Sequence, residues 1–249
     1  MKYITSRYNP IIKKIIELKT AKKRLEYGLF IAEGYRTITT FLHHGYQLDA
    51  AFTTQKGHSI LQSHIQNNEI ILLDDHTMGL ISSSTTPSGM LALFKIPKTP
   101  EPHLLTPGIV LAQIQDPGNM GTIIRTAAAL AVPSIVIVEG CDPWNPKVVQ
   151  ATAGSLALVT VFSWTWQQLL DYKKNIPLCA LTVSDGQPPQ KYNLKEQLFV
   201  VGNEAHGLPE EWQQQCDHFL TLPMPGNTES LNAAIAAAIT LYITYQPLS

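Results

Sequence analysis

The chain has 249 residues, of which 45% are hydrophobic and 15% are charged. These proportions are typical of a globular protein and exclude a disordered or fibrous one. The length is sufficient for two domains, each with its own core. The N-terminus has no secretory signal, the apolar run 233–245 is too short to cross a bilayer, and the three cysteines match no zinc or disulfide spacing. We therefore expect a cytoplasmic protein.

The net charge of −1 is unevenly distributed, because residues 1–36 contain nine basic and only three acidic side chains. Such an asymmetry is typical of a local surface that faces a polyanion. A basic helix that is simply solvated gives the same pattern, and charge alone does not separate the two interpretations.

The residues before position 96 alternate between helical and strand patterns. Asn9-Pro10 predicts a helix start, and the isoleucines at positions 11, 12, 15 and 16 form an apolar stripe. Strands are predicted at 29–34, 48–54, 69–74 and 89–95, and helices at 36–44 and 59–66. The pattern indicates a small α/β domain.

A proline-rich stretch, 96–108, favours a semi-rigid linker. We set the domain limits at 1–98 and 109–249, with the linker at 99–108.

The second domain shows a clearer alternation. Strands are predicted at 108–115, 134–140, 157–162, 177–183, 198–203 and 219–224, and helices near 119–131, 146–152, 165–174, 209–216 and 230–245. Most of these strands are continuous apolar runs, which is typical of a parallel sheet covered on both faces. In such a doubly wound α/β domain the ligand lies beyond the carboxyl ends of the strands.

Three loops follow predicted strands and therefore qualify as ligand loops. The first, "DPGNMGTIIRTAAAL" (116–130), fits neither the dinucleotide nor the P-loop fingerprint. Its helix places Ile123, Ile124, Ala127, Ala128 and Ala131 on one face and Arg125 on the other. Arg125 is either a solvated cation or a group that faces a phosphate or ribose.

The second loop, "VVGNEAHGLPEEW", and the third, "LPMPGNTESLNAAIAAAI", are also open to two interpretations. Glu204 either accepts backbone hydrogen bonds or receives ligand donors. The alanines of the last helix reflect either helix propensity or close approach to another element. Ser230 and Asn232 offer polar groups at the start of that helix.

Taken together, the three loops resemble the three ordered motifs of the SpoU (TrmH-type) branch of the SPOUT RNA methyltransferases. The motifs are "PGNMGTIIRTA", "VVGNEAHGL" and "LPMPGNTESLNAAIAAAI". The segment "DPWNPKVVQATAGS" is similar to the family's intervening segment. "ITSRYNPIIKKIIELKTAKKR", "FIAEGYRTI" and "TTPSGMLAL" resemble its N-terminal substrate-binding domain, of ribosomal-protein-like α/β fold.

The resemblance implies 2′-O-methylation of a ribose in structured RNA with S-adenosylmethionine as donor, without a metal or a membrane. It also implies a homodimer and a C-terminal domain with a mostly parallel sheet and a deep trefoil knot. The knot would explain the small residues of the last helix, since threaded elements pack closely.

The resemblance also implies roles for individual residues. The residues that match the polar catalytic set are Asn119, Arg125, Glu204, Ser230 and Asn232. The residues expected to contact S-adenosylmethionine are Gly202, Gly207, Leu222, Met224 and Leu231. The candidate RNA-binding residues of the N-terminal domain are Lys13, Lys14, Lys22, Lys23, Arg24 and Arg36.

The family assigns activation of the 2′-hydroxyl to the counterpart of Arg125. Because guanidinium stays protonated in proteins, we interpret this role as binding of an RNA phosphate and stabilisation of a developing alkoxide. The acceptor of the proton is left open. Gln150 stands where many relatives have arginine, which removes one expected RNA contact, and Thr122 replaces a common alanine.

The leading hypothesis is an RNA ribose methyltransferase that acts on 23S ribosomal RNA. A tRNA methyltransferase and a catalytically silent RNA-binding protein of the same fold are the alternatives. A nucleotide-dependent oxidoreductase is disfavoured because no G-x-G-x-x-G opens a βα unit.

Overall fold

The computed structural model describes residues 2–66, 69–226 and 229–245. Its strands are β1 (Lys2–Ile4), β2 (Leu29–Glu33), β3 (Leu48–Thr53), β4 (Ile70–Leu73), β5 (Met90–Lys95), β6 (Gly108–Ala112), β7 (Ser134–Val138), β8 (Thr160–Trp164), β9 (Leu178–Thr182), β10 (Leu198–Val201) and β11 (His218–Thr221). Its helices are α1 (Pro10–Glu17), α2 (Ala21–Tyr27), α3 (Tyr35–His43), α4 (Gln55–Gln62), α5 (Asp75–Ile81), α6 (Pro117–Ala129), α7 (Pro146–Thr152), α8 (Trp166–Tyr172), α9 (Glu210–Gln213) and α10 (Ala233–Tyr245).

The chain divides into two compact units. The first holds the residues up to Pro97 together with Asp142–Leu158, and the second holds Lys98–Cys141 and the residues from Val159 onward. The segment 142–158, which follows β7 in sequence, is therefore built into the first unit. The domain limits expected from the sequence, at residues 98 and 109, divide the chain by function. This division remains a prediction.

The first unit is built on a five-stranded sheet in the order β1-β4-β3-β5-β2. Strands β1, β4 and β3 run parallel, and β5 pairs antiparallel with both β3 and β2. On α1 the Asn9 side chain accepts a hydrogen bond from the backbone amide of Ile11 and so caps the helix, as predicted. Ile12 and Ile15 are fully buried, whereas Ile16 is 40% exposed, so the predicted four-residue stripe is narrower in the structure.

The second unit is built on a six-stranded sheet in the order β11-β9-β10-β6-β7-β8. All of its strand pairs are parallel. Every residue of β6, β7 and β10 is buried, which explains why these strands read as uninterrupted apolar runs. The α/β class and the parallel sheet are confirmed, and the trefoil knot stays a prediction.

The segment 142–158 is held in the first unit by an ion pair and an aromatic contact. The guanidinium of Arg24 lies 2.7 Å from the Asp142 carboxylate and also donates to the carbonyl of Leu18. The ring of Trp144 lies 4.7 Å from that of Phe30. This anchoring gives Arg24 a structural role.

Candidate active site

Three loops meet at one edge of the parallel sheet of the second unit. They follow β6, β10 and β11, and because the sheet is parallel its carboxyl ends share one edge. Strand β10 lies beside β6, and β9 separates it from β11. The sheet therefore brings together loops that are far apart in the sequence.

The first loop leads directly into α6. The Asp116 side chain accepts a hydrogen bond from the Asn119 amide at 2.7 Å and caps the helix, and Pro117 occupies its first position. Gly118 and Gly121 both lie within this helix. The first turn of α6 is what presents the Asn119 side chain.

The second loop is a tight hairpin whose backbone requires or favours glycine at two positions. Asn203 and Gly207 exchange two backbone hydrogen bonds of 2.9 Å. Gly207 has a φ of +68°, and a Cβ on Gly202 would lie 2.5 Å from the backbone of Gly207 and Leu208. Only glycine therefore fits at position 202, and a left-handed conformation favours glycine at 207.

Glu204, at the tip of this hairpin, is bound by donors from the first loop. Its carboxylate accepts hydrogen bonds from the Asn119 side chain at 3.1 Å and from the amides of Gln115 and Asp116 at 3.4 and 3.2 Å. Burial acts to raise the pKa of the Glu204 carboxyl, but the hydrogen bond from Asn119 and those from backbone amides together lower this pKa below its usual value. Glu204 is thus an ionised carboxylate whose oxygens are already engaged.

The third loop joins the same network through Asn232. Its side chain donates to the Oδ1 atom of Asn119 at 3.1 Å, and its own Oδ1 caps α10 by accepting from the amides of Ala234 and Ile235. The chain Glu204–Asn119–Asn232 therefore links all three loops. Ser230 is exposed beside this network.

Arg125 lies on the exposed side of α6 and makes no hydrogen bond or ion pair with any other described residue. It is the only arginine of the chain after Arg36. The opposite face of α6 is buried through Ile123, Ile124 and Ala127, as predicted, while Ala131 falls beyond the helix and is exposed. The cation is free to meet an anionic ligand.

A cavity of about 360 Å³ lies beside the second and third loops. Its lining includes all five residues expected to contact S-adenosylmethionine: Gly202, Gly207, Leu222, Met224 and Leu231. Glu204 and Ser230 also line it. The volume and the mixture of apolar walls with a few polar groups are typical of a small-molecule site.

Further residues of this site were missed by the sequence analysis. Leu181, Thr182 and Val183, at the end of β9, line the same cavity. Asn203 ties the second loop to the first by donating to the carbonyl of Gln113 at 2.9 Å. The signal that could have found the first group is the position of 181–183 at the carboxyl end of a parallel strand.

The basic residues of the first unit differ in how available they are. Lys13, Lys22 and Arg36 are exposed. The ammonium groups of Lys14 and Lys23 lie 5.3 and 5.2 Å from the ring centre of Tyr27.

Lys23 is the most tightly engaged of these lysines. Its ammonium donates to Glu26 at 3.0 Å and lies 3.9 Å from the Glu17 carboxylate. The hydrogen bond to Glu26 raises the pKa of Lys23. Its charge is partly neutralised within the chain, which weakens it as a phosphate ligand.

The prediction that Arg24 binds RNA is wrong. Its side chain is 2% exposed, and its donors are directed at Asp142 and at the carbonyl of Leu18. A guanidinium buried in an ion pair cannot reach a phosphate in solvent. The helix periodicity of the sequence could not indicate this ion pair, because the partner of Arg24 lies 118 residues away.

Among the described residues, no group of three or more His, Cys, Asp or Glu side chains is arranged to hold a metal ion. No helix within the described ranges is long and apolar enough to cross a membrane.

Comparison with known proteins shows the same two parts. Residues 107–242 match the SpoU rRNA Methylase family, and residues 9–92 match the MRM3-like substrate binding domain. A Synechocystis protein named as an uncharacterized tRNA/rRNA methyltransferase is 30% identical over 96% of this chain and 92% of its own length. The 23S rRNA (guanosine(2553)-2′-O)-methyltransferase RlmP of Bacillus subtilis is 28% identical over 97% of this chain and 98% of its own.

A solved structure agrees along the whole chain. The AdoMet-bound rRNA methyltransferase from Sinorhizobium meliloti superposes with a TM-score of 0.87 at 25% identity, covering 98% of this chain and 97% of that one. The arrangement of the loops, the family match and this structural likeness lead to one assignment. The chain belongs to the SpoU rRNA methylase family.

Proposed function

We propose that the chain transfers a methyl group from S-adenosylmethionine to a ribose 2′-hydroxyl of structured RNA, with 23S ribosomal RNA as its substrate. As a SpoU-family protein it is an S-adenosylmethionine-dependent RNA methyltransferase. The observation that carries the proposal is the hydrogen-bonded chain Glu204–Asn119–Asn232, which joins the three motif loops beside the cavity. The full-length likeness to the Bacillus subtilis enzyme supports ribosomal RNA.

The cavity residues fit S-adenosylmethionine. Gly202 lines the cavity and lets the second loop close tightly, since a Cβ there would meet the backbone of Gly207 and Leu208. Leu222, Met224 and Leu231 supply apolar walls. We assign these residues and Gly207 to binding of the donor. When bound, S-adenosylmethionine supplies an electrophilic methyl group.

The polar residues of the site act chiefly by positioning the RNA and by stabilising charge, and less by transferring protons. We assign Arg125 to an RNA phosphate and to the negative charge that develops on the 2′-oxygen, since a guanidinium is a cation with several hydrogen-bond donors and Arg125 is unpaired among the described residues. Asn119 and Ser230 face the ribose. Transfer to a sulfonium methyl depends chiefly on alignment of the attacking oxygen.

Glu204 is a poor proton acceptor. A lowered pKa makes a carboxylate a weaker base, and three donors already occupy its oxygens. We therefore assign Glu204 and Asn232 as positioning residues that hold Asn119.

A homodimer is supported by an apolar stripe on and before α10. Leu231, Ile235, Ile239 and Tyr242 are between 37% and 59% exposed, and their spacing places Ile235, Ile239 and Tyr242 along one side of the helix. The opposite side, through Ala234 and Ala237, is buried, and α10 packs on α6. We propose that a second copy covers the stripe and that the C-terminal chain carries the family's trefoil knot.

Substrate binding is proposed for residues 1–98 and methyl transfer for residues 109–249, with Lys13, Lys14, Lys22, Lys23 and Arg36 contacting RNA. Ribosomal RNA as substrate supports a cytoplasmic location. tRNA is the alternative substrate, because the Synechocystis relative is named for both RNAs.

The proposal is tested by calorimetry with S-adenosylmethionine followed by methyl transfer to 23S rRNA and to total tRNA. Binding together with transfer to 23S rRNA supports it. Absence of binding at millimolar ligand would overturn it and leave a catalytically silent RNA-binding protein.

A further inference from the structure

Three exposed aromatic rings form a row in the first unit, two of them on α3 and one in the turn after α4. The ring of His64 lies 5.6 Å from that of Tyr35 and 5.8 Å from that of His43. Tyr35 is 42% exposed, and both histidines are exposed. We call Tyr35, His64 and His43 the ring row.

The ring row is positioned by α3 and by the turn after α4. Tyr35 and His43 are the first and last residues of α3 and lie eight positions apart, so they share one side of the helix. His64, just after α4, lies between them and is held to Tyr35 by a hydrogen bond of 3.1 Å between Nε2 and the phenol oxygen. The Thr39 hydroxyl, which donates to the carbonyl of Tyr35, is buried beneath.

The charge around the ring row is suited to a polyanion. The segments 35–46 and 54–66 contain no aspartate or glutamate, but they contain Arg36, Lys56 and four of the eight histidines of the chain. Arg36 is exposed and follows Tyr35 directly. An acidic protein surface would match this charge, but a row of three exposed rings is better suited to nucleobases.

We propose that the ring row binds unpaired nucleotides of the RNA substrate by stacking, while Arg36 contacts their phosphates. The inference rests on the proposed function, because it names the part of the RNA that the first unit recognises. Every nucleobase has a face that stacks on a phenol or imidazole ring. Bases inside a duplex are already stacked on one another, so the substrate must offer a loop, bulge or single-stranded end.

The test uses the full chain and a single-stranded RNA oligonucleotide that carries 2-aminopurine, whose fluorescence falls when the base stacks. The same oligonucleotide annealed to its complement is the comparison. We expect quenching and binding for the single strand and markedly weaker binding for the duplex. Tyr35→Ala and His64→Ala should each weaken single-strand binding by about fivefold or more and reduce the quenching.

Conservative and control variants separate stacking from damage to the fold. Tyr35→Phe keeps the ring and should retain most of the affinity. Tyr3→Ala and His76→Ala remove an exposed phenol and an exposed imidazole of the same unit outside the ring row, and both should bind like the parent chain. Circular dichroism checks folding, and His64→Ala, in a turn, carries the test if Tyr35→Ala does not fold.

Equal binding of duplex and single strand, or unchanged affinity and quenching in both alanine variants, would overturn the inference. A parent chain that binds neither RNA would overturn it as well and would point to a protein partner. Calorimetry with S-adenosylmethionine and the methyl-transfer assay are run on the same samples. If these two fail while stacking persists, the proposed function fails and the ring row stands as an RNA site.

Discussion

The side chains of Asn119 and Glu204 are 85 residues apart in sequence and are joined by a hydrogen bond of 3.1 Å. Asn119 in turn accepts from Asn232 at 3.1 Å, so one amide binds residues of both other loops. Asn119 lies in the first turn of α6, which Asp116 caps. The position of one polar side chain therefore depends on three loops at once.

Replacing Glu204 should disturb this arrangement without removing volume. Glu204→Gln keeps the shape but removes the charge that accepts from Asn119, Gln115 and Asp116. Hydrogen bonds to a charged group contribute about 1.5–3 kcal/mol, so we expect the rate of methyl transfer at saturating donor to fall by about tenfold or more. Glu210→Gln, an equal charge change at the exposed start of α9, should leave the rate unchanged; equal effects of both would contradict the assignment.

The same carboxylate predicts a dependence of stability on pH. Because folding lowers the pKa of Glu204, its contribution to the free energy of unfolding is complete above the pKa of an unfolded glutamate, about 4.3. The contribution is lost as the pH falls through the lower folded pKa. Urea unfolding on both sides of this window should show a smaller acid loss in Glu204→Gln than in the parent chain, and parallel losses would refute the prediction.

Removing Arg125 should abolish methylation and leave donor binding nearly intact. Its guanidinium is exposed and is assigned to RNA, whereas the cavity is lined by other residues. Loss of a group that stabilises developing charge costs about 100- to 1,000-fold in rate. Single-turnover kinetics and calorimetry on Arg125→Ala measure the two effects, with Lys191→Ala as the control for loss of an exposed cation in the same unit. Full activity of Arg125→Ala would remove its assigned role.

Gly202→Ala should impair the donor site through sterics alone. The added Cβ would lie 2.5 Å from the backbone of Gly207 and Leu208, which is closer than packed atoms allow. We expect weaker binding of S-adenosylmethionine by calorimetry and a lower melting temperature. Gly79→Ala, whose Cβ would meet nothing within 4 Å, is the control, and its behaviour should match the parent chain. Normal donor affinity in Gly202→Ala would show that the hairpin can adjust.

A charge on the stripe of α10 should break the proposed dimer. Ile235 is 48% exposed in this structure, and burying an unpaired glutamate against a second copy is unfavourable. Light scattering should give a dimer for the parent chain and a monomer for Ile235→Glu. Leu104→Glu changes an equally exposed leucine elsewhere in the second unit and should remain dimeric. A monomeric parent chain would contradict the proposal.

The basic residues of the first unit separate into two functional classes. Charge reversal of the set Lys13, Lys14, Lys22 and Lys23 should weaken RNA binding and flatten its dependence on salt. Arg24→Ala should instead lower the free energy of unfolding by about 3 kcal/mol, because it leaves Asp142 without its buried partner. Filter binding across a salt series and urea unfolding measure the two effects. An unchanged salt slope would mean that the lysines are only solvated.

Periodicity predicted the larger elements well, because their apolar residues are either continuous or regularly spaced. Strand β6 and helix α7 appear where they were expected. The short elements β1 and α2 were not predicted, since three to seven residues carry too little periodicity and their stability comes from tertiary packing. The strand expected at 157–162 begins three residues later, because 155–158 forms a 3₁₀ turn.

For the site, the rule that ligands bind beyond the carboxyl ends of parallel strands was sufficient to select the three loops. Their motifs then supplied the roles through resemblance. The sequence did not reveal that Glu204 binds two backbone amides of the first loop, or that Arg24 pairs with Asp142, because both contacts join residues more than 80 positions apart. Such pairings follow from tertiary structure and not from local patterns.

The central claim is tested most directly by mapping 2′-O-methyl groups in RNA from cells with the protein, without it, and with Arg125→Ala in its place. We predict one ribose methylation in 23S rRNA that is present only with the parent chain and is restored when S-adenosylmethionine and purified protein are added to the unmodified RNA. An unchanged map in all three cells, or a methyl group on a base instead of a ribose 2′-oxygen, would contradict it.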